Sequence, residues 1–373
     1  MNPLLSLKNA NYFGENFTPG EGKAHVLVVV PEVKSKRPAT AKAQRKKLLS
    51  ALEWREPMRL CTSDGQDWSY QGASELVAEV AQPLVAHYEA WKLGYHDKQN
   101  HAINLVMDGR GTGKSRMLDE MKGLLCEAAK QSQQQELVER MENAYVFRVT
   151  FEDGTCTTGN LLDSKCPEFD VSYRMLYQLA KDRIEWPQFV DRLVESYPSL
   201  RLRIETVMEI LATLEKVDNM KNMTVILCVD GLQKLNNDGT MACALYRVLA
   251  TICGFLNSSR AFAVCVCSAT MEIPVERALS YSSQRRVYLP PPALRGEEVL
   301  EPRTKFEKRL VNDMGGHGRA LETLASVLRQ YTKDESEQTD PSRVLDQVCT
   351  QLRLQYGEIF ASPFFKTQPI ARP

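Results

Sequence analysis

Residues 108–115, with the sequence DGRGTGKS, combine the residue types that bind a chain of phosphates. Glycines let backbone N–H groups turn inward around phosphate oxygens, while a lysine and a serine supply a cation and a hydroxyl. In such a loop Lys114 would reach the β- and γ-phosphates, and Ser115 would coordinate Mg²⁺. We therefore predict that a nucleotide, ATP or GTP, binds with Mg²⁺ at Gly109, Gly111, Thr112, Gly113, Lys114, Ser115 and Arg116.

The first position of this loop departs from the usual P-loop pattern, which begins with glycine. Here that position is Asp108, and Gly109 and Gly111 supply the flexibility instead. The apolar run at 103–107 and the amphipathic run from 116 onward predict a strand before the loop and a helix after it. This context favours a P-loop over a glycine-rich surface loop with a solvated lysine.

A second acidic position, Asp230, follows a continuous apolar run that predicts a strand. A carboxylate at the end of the strand next to the P-loop strand would complete the Mg²⁺ shell together with Ser115. The next residue is Gly231, where a water-activating carboxylate commonly stands, so hydrolysis needs a base from elsewhere. Glu152 and Asp153, at the end of another predicted strand, are candidates for this base; the alternative is that they only form the turn after that strand.

Other polar side chains could stabilise charge on a transferring phosphate. Thr270 and Ser268 follow a predicted strand and could contact the γ-phosphate or the attacking water, or cap a helix. Arg319 could supply a cation, as could Arg285 or Arg286, although such arginines are also commonly solvated or salt-bridged. The predicted catalytic residues are Lys114, Asp230, Glu152, Thr270 and Arg319, and contacts to the nucleotide base are expected from residues 70–102.

Short apolar runs alternate with helical patterns along most of the chain. This alternation predicts an α/β fold, a P-loop NTPase with a central parallel sheet flanked by helices, plus an α-helical C-terminal segment. The run at 225–229 is typical of a central strand that is buried on both faces. Strands are predicted at 103–107, 145–151, 224–229, 261–267 and 286–289. Helices are predicted at 73–93 (interrupted by Pro83), 115–130, 171–184, 206–216 and 242–256, and only helical patterns follow from about 302 to 360.

The 373 residues contain 47 Lys and Arg against 47 Asp and Glu, so the formal net charge is zero. This balance does not favour a nucleic-acid-binding protein, which usually carries a basic surplus. Basic side chains do concentrate at 34–47, which we interpret as an exposed linker that is either a nuclear-import or partner signal or a solvated helix start. The predicted divisions are a short N-terminal region at 1–31, a basic linker at 32–70, a P-loop core at 71–299 and a helical segment at 300–373.

The sequence disfavours several other classes of protein. No apolar run approaches the roughly 20 residues that span a bilayer, so we expect no membrane contact. The first eight residues lack the long apolar stretch of a secretory signal. The ten cysteines show no regular spacing, which disfavours a disulfide framework and a zinc site.

Four segments together resemble the Crinkler family of eukaryotic effector proteins. They are YFGE at 12–15 with HVLVVVP at 25–31, the glycine-rich loop with its KSR ending, VDGLQ at 229–233, and GGHGRAL at 315–321. HVLVVVP is similar to the signature that closes the family's N-terminal translocation region, so residues 1–31 look like a remnant of that header. The last segment is similar to a GGHPRAL-type turn, with Gly318 where the family has proline.

The resemblance implies a modular effector that a pathogen delivers into host cells, often into the host nucleus, where a host protein would be its partner. In the family, the P-loop region is commonly coupled to a C-terminal nuclease-like or other toxin domain. Here no LFLAK-type header precedes residue 10, and residues 362–373 show no D…ExK nuclease constellation. Two hypotheses remain: an NTPase whose hydrolysis changes the packing of the helical segment, and a non-hydrolysing module that keeps nucleotide as a structural ligand and contacts a host nuclear partner.

Overall fold

A parallel sheet lies at the centre of the chain in a computed structural model, which describes residues 46–152, 167–196, 202–235, 243–270, 272–330 and 340–355. In this described part the sheet has five strands in the order β2-β3-β4-β1-β5, and each neighbouring pair is parallel. The strands are β1 (Ile103–Met107), β2 (Tyr145–Thr150), β3 (Thr224–Asp230), β4 (Phe262–Ala269) and β5 (Arg286–Tyr288). The predicted α/β fold with a central parallel sheet is therefore confirmed.

The strand order differs from the sequence expectation in one respect. The strand that ends in Asp230 was expected beside the strand that leads into the glycine-rich loop, but β4 lies between them. All eight residues of β4 are buried, so this strand suits the middle of a sheet that is covered on both faces. The polar residues at the carboxyl end of β4, Ser268 and Thr270, consequently lie between the glycine-rich loop and Asp230.

Helices cover both faces of the sheet, and side chains alternate between two apolar layers along each strand. In β3, for example, Leu227 and Val229 face one layer, whereas Ile226 and Cys228 face the other. The second layer is completed by α1 (Ala73–Lys92), α2 (Lys114–Gln131) and α3 (Gln135–Glu142). The first is completed by α4 (Asp170–Leu179), α5 (Trp186–Ser196), α6 (Ile204–Leu214), α7 (Ala244–Ser258) and α8 (Glu272–Ser280).

Two predicted helices differ from the structure by more than a shift of one or two residues at their ends. The first runs from 73 to 92 without a break at Pro83, because a proline removes one backbone hydrogen bond while buried Val80 and Leu84 anchor the helix on either side. The helix expected at 171–184 ends at Leu179, since Ala180 is extended and forms an antiparallel bridge with Leu52.

The C-terminal part of the described chain is helical, as predicted. It comprises α9 (Gly296–Leu300), α10 (Lys305–Asp313), α11 (Gly318–Leu328) and α12 (Pro341–Gln355). Their apolar side chains form a third cluster that includes Leu310, Leu321 and Val348 and that packs against Trp68 and Leu294. Among the described residues, no helix is both long enough and apolar enough to cross a bilayer.

The N-terminal predictions fall largely outside the described residues, which begin at 46. The proposed header remnant at 1–31 and most of the basic stretch at 34–47 belong to that outside part. The described end of the predicted linker packs closely against the core, where Leu48 and Leu52 are buried.

Candidate functional site

The glycine-rich loop joins the carboxyl end of β1 to the first residue of α2. Gly111 and Gly113 have φ angles of +78° and +100°, a left-handed backbone conformation that favours glycine. The N-cap residue of α2 is Gly113, which has no side chain to cap the first turn. The first turn of a helix carries backbone N–H groups without intrahelical partners, and these groups attract anions. The loop therefore has the backbone needed to bind phosphate oxygens.

Lys114, the first residue of α2, is almost completely buried, with 8% of its surface exposed. Its ammonium group donates hydrogen bonds to the backbone carbonyls of Asp108, at 2.9 Å, and Gly109. Burial lowers the pKa of Lys114, while the nearby carboxylates of Asp230 and Asp108 act in the opposite direction. A multiply charged phosphate would offer this desolvated cation a stronger partner than two neutral carbonyls.

Asp230 connects the loop helix to the neighbouring strand ends. Its Oδ2 accepts a hydrogen bond from Ser115 Oγ at 2.8 Å, and its Oδ1 accepts one from Ser268 Oγ. The Gly231 N–H in turn donates to Ser268 Oγ at 3.3 Å. Hydroxyl and carboxylate oxygens are ligands that suit Mg²⁺, which commonly takes one or two carboxylates and completes its shell with substrate phosphates. Ser115 and Asp230 therefore fit the predicted metal role.

The backbone conformation and the surroundings of Gly231 leave no room for a carboxylate side chain directly after Asp230. Its φ angle is +80°, and a Cβ at this position would lie 2.6 Å from Glu152 Cγ. The pairing of Thr150 with Asp230 places Glu152 beside this glycine, so the Glu152 side chain fills the space that a side chain at 231 would need. Asp153, the other candidate base, lies outside the described residues.

Gln233 is a site residue that sequence reasoning missed. Its Nε2 donates to Glu152 Oε1, and its Oε1 accepts from the Thr270 N–H at 3.1 Å. Thr270 thus reaches the site through its backbone. A glutamine three positions after a strand-end aspartate carries no signal of its own, because its partners come from β2 and β4.

The GGHG turn before α11 contacts the glycine-rich loop directly. Arg319 N–H donates to the Gly111 carbonyl at 3.0 Å, and His317 Nε2 donates to the Arg110 carbonyl at 2.9 Å. His317 Nδ1 accepts from the Ala320 N–H and so caps α11. A Cβ at Gly318 would lie 3.1 Å from the Gly111 oxygen, which suits a glycine at this close approach.

A segment at 60–71 forms the remaining wall of the site. Glu322 of α11 accepts from Gly65 N–H at 2.7 Å and pairs with the Arg319 guanidinium at 2.9 Å. Arg116 of α2 donates to the Gln66 and Trp68 carbonyls. The Arg116 guanidinium therefore holds this segment in place, and the binding of the cofactor by Arg116 stays a prediction.

A cavity of about 590 Å³ lies between the glycine-rich loop, the ends of the neighbouring strands, the turn before α11 and the segment at 60–71. Most predicted site residues line it, namely Gly111, Thr112, Gly113, Lys114, Ser115, Arg116, Glu152, Asp230, Thr270 and Arg319. Arg286 instead pairs with Glu276 at 2.8 Å. Contacts to a base were expected from residues 70–102, but within that range the lining includes only Tyr70 and Gln71. The other residues that line the cavity include Leu60, Cys61, Trp68, Pro292 and Leu294.

The chain is only weakly similar to solved structures. No family model matches the chain. Drosophila ORC bound to DNA is 16% identical, with a TM-score of 0.27, and the match covers 95% of this chain and 70% of that one. Drosophila ORC bound to AT-rich DNA and Cdc6 is 10% identical, with a TM-score of 0.29, and the match covers 92% and 55%. TM-scores this low do not show a shared fold.

Comparison with curated proteins is far more informative. The chain is 58% identical to Crinkler effector protein 108 from Phytophthora sojae over 93% of its own length, and it spans 46% of that relative. A stretch of 32 residues is 66% identical to Crinkler effector protein 4 from Phytophthora capsici, and covers 9% of this chain and 8% of that relative. The chain thus spans about half the length of the first relative. Over the region that it shares with that relative, it belongs to the Crinkler effector family.

Proposed function

We propose that this chain is a P-loop nucleoside triphosphatase that binds ATP or GTP with Mg²⁺ and hydrolyses the β–γ bond. The observation that carries the proposal is the 2.8 Å hydrogen bond between Ser115 and Asp230 at the mouth of the glycine-rich loop. It brings a hydroxyl and a carboxylate from distant parts of the sequence together beside a buried lysine. This combination of groups is the one that phosphate and Mg²⁺ binding requires.

Each polar group has a distinct role in the proposed binding step. The backbone of the loop and the first turn of α2 bind phosphate oxygens, and Lys114 gives up its two carbonyl partners to contact the β- and γ-phosphates. Ser115 and Asp230 hold Mg²⁺, which when bound neutralises charge on the phosphates. The buried position of Lys114 and Asp230 keeps water from weakening these interactions.

For hydrolysis we propose that Glu152 is the carboxylate that accepts a proton from the attacking water. Its Cγ packs where a side chain after Asp230 would stand, so β2 supplies the group that Gly231 cannot. Thr270 and Arg319 both line the cavity, and the Thr270 hydroxyl and the Arg319 guanidinium are suited to contact the γ-phosphate.

The decisive variant is Lys114→Ala, with Lys130→Ala as its matched control. Lys130 lies on the same helix, where it is exposed and paired with Glu127 at 2.7 Å. We expect Lys114→Ala to weaken Mg²⁺-nucleotide binding about 100-fold or more, because it removes charge-assisted hydrogen bonds to phosphate. Titration calorimetry with ATP and with GTP measures this loss. Normal binding by Lys114→Ala would refute the site.

The second candidate is a module that binds nucleotide without hydrolysing it, which the missing carboxylate at Gly231 favours. Phosphate release separates the two candidates. If wild-type release exceeds that of Lys114→Ala and is lost in Glu152→Gln, the chain is an NTPase with Glu152 as its base. If wild-type release equals that of Lys114→Ala while binding persists, the binding module is correct.

Family membership supports an effector role for the whole protein. We propose that a pathogen secretes it into host cells, where it contacts a host protein. The basic stretch at 34–47 is the part that we propose for nuclear import or for contact with an acidic partner. Expression of fusions with and without this stretch in host cells, followed by imaging, tests the nuclear assignment; equal distribution of both fusions would contradict it.

A further inference from the structure

Gln233 uses both ends of its side-chain amide to join two strand ends. It lies in the short turn Leu232–Leu235 that follows β3. Its NH₂ group donates to the Glu152 carboxylate after β2, and its carbonyl oxygen accepts from the Thr270 N–H after β4. The side chain therefore spans the carboxyl end of β3 from one neighbouring strand to the other.

The chemistry of the two partners fixes the orientation of this amide. A carboxylate only accepts hydrogen bonds and a backbone N–H only donates them, so the NH₂ group must face Glu152 and the oxygen must face Thr270. If the amide were rotated by 180°, its oxygen would face the Glu152 carboxylate, so that two acceptors met. Its NH₂ group would then face the Thr270 N–H, so that two donors met. A glutamate at 233 would likewise face the Glu152 carboxylate with like charge. The position therefore requires a side chain that has a donor at one branch and an acceptor at the other.

Glu152 is restrained by several contacts around this amide. Its backbone N–H donates to Thr150 Oγ1 at 3.0 Å, its Cγ is packed beside Gly231, and its Oε1 is bound by Gln233. These contacts hold the Glu152 side chain at the cavity wall, which also includes Gln233 and Thr270. The carboxylate position thus depends on the position of the β4 end.

We propose that Gln233 is a positioning residue for nucleotide hydrolysis, one that fixes the Glu152 carboxylate relative to Thr270 without contacting the phosphates. The proposal rests on the proposed function, because it assigns Glu152 the role of base. Its consequence is that losing Gln233 impairs the hydrolytic step and spares nucleotide binding. A misplacement of about 1 Å in a catalytic group can cost roughly 100-fold in rate.

The test compares wild type, Gln233→Leu, Glu152→Gln and the double variant in nucleotide binding, phosphate release and urea unfolding. Gln233→Leu keeps the approximate shape and removes both hydrogen bonds. Gln233→Glu serves as a second variant, which keeps the acceptor for the Thr270 N–H. Gln135→Leu is the matched control, since Gln135 Nε2 also donates to a glutamate, Glu139, at 3.1 Å on the exposed helix α3.

We expect Gln233→Leu and Gln233→Glu to lower kcat by about 10- to 100-fold, with nucleotide Kd changed less than about twofold. The double variant should be no slower than Glu152→Gln alone, because both changes act on one group. An unchanged kcat in Gln233→Leu, or losses that multiply in the double variant, would overturn the proposal while leaving the NTPase intact. Wild-type release equal to that of Lys114→Ala would overturn both.

Discussion

Gly231→Ala offers a test of the local geometry that does not depend on any ligand. The left-handed backbone at φ +80° costs an alanine about 1–2 kcal/mol, and the added Cβ would lie 2.6 Å from Glu152 Cγ. Relieving such an overlap in a packed site costs roughly 1–3 kcal/mol more. The lower entropy of alanine in the unfolded chain offsets about 0.4–1 kcal/mol. We expect the free energy of unfolding to fall by about 1–5 kcal/mol in total.

Urea unfolding followed by circular dichroism measures this loss, and Gly94→Ala provides the control. Gly94 has φ +72°, and among the described residues other than its chain neighbours no heavy atom lies within 4 Å of the point where an alanine Cβ would stand. Its substitution therefore costs only the backbone strain, about 1 kcal/mol. In a Glu152→Ala background, Gly231→Ala should cost no more than Gly94→Ala. Equal stability of Gly231→Ala and Gly94→Ala in the wild-type background would refute the proposed overlap with Glu152.

Two further predictions concern pH and the C-terminal turn. Burial lowers the pKa of His87 to about 4, so the unfolded chain binds more protons than the folded one between pH 6.5 and 4. The free energy of unfolding should therefore fall by about 3 kcal/mol as the pH drops through this range. Urea unfolding at a series of pH values measures this fall, which should be smaller in His87→Gln; an equal pH dependence of the unfolding free energy in both proteins would contradict the prediction. Arg319→Ala should slow phosphate release at least about tenfold, whereas Arg329→Ala, which breaks an exposed pair with Asp64, should not; equal rates would exclude Arg319 from hydrolysis.

The strands and the glycine-rich loop were predictable because their signals are local. A continuous apolar run marks a strand that is buried on both faces, and all five strands occur within two residues of the predicted bounds. The loop and the strand-end Asp230 are recognisable from residue types alone. Pairing Ser115 with Asp230 then followed from the chemistry of Mg²⁺.

The strand order and the cavity wall were not predictable, because they depend on contacts between distant residues. Nothing in the run 262–269 indicates that it lies between β1 and β3 rather than at an edge. The segment 60–71 lacks apolar periodicity and is held by side chains of Arg116 and Glu322, which are more than 40 residues away in sequence. The role of Gln233 likewise depends on its contacts with Glu152 after β2 and Thr270 after β4, which are distant in sequence.

The cavity walls also carry a consequence for biosynthesis. They come from residues 60–71, from the loop at 110–116, from the strand ends that include Glu152, Asp230 and Thr270, and from the turn and helix at 318–322. A nascent chain therefore makes the turn and helix last, and the complete cavity exists only after residue 322 has left the ribosome. A ligand that needs every wall cannot bind, and so cannot stabilise the sheet, before that point. Chains cut before Arg319 would have lost one wall of the site even where the sheet still forms.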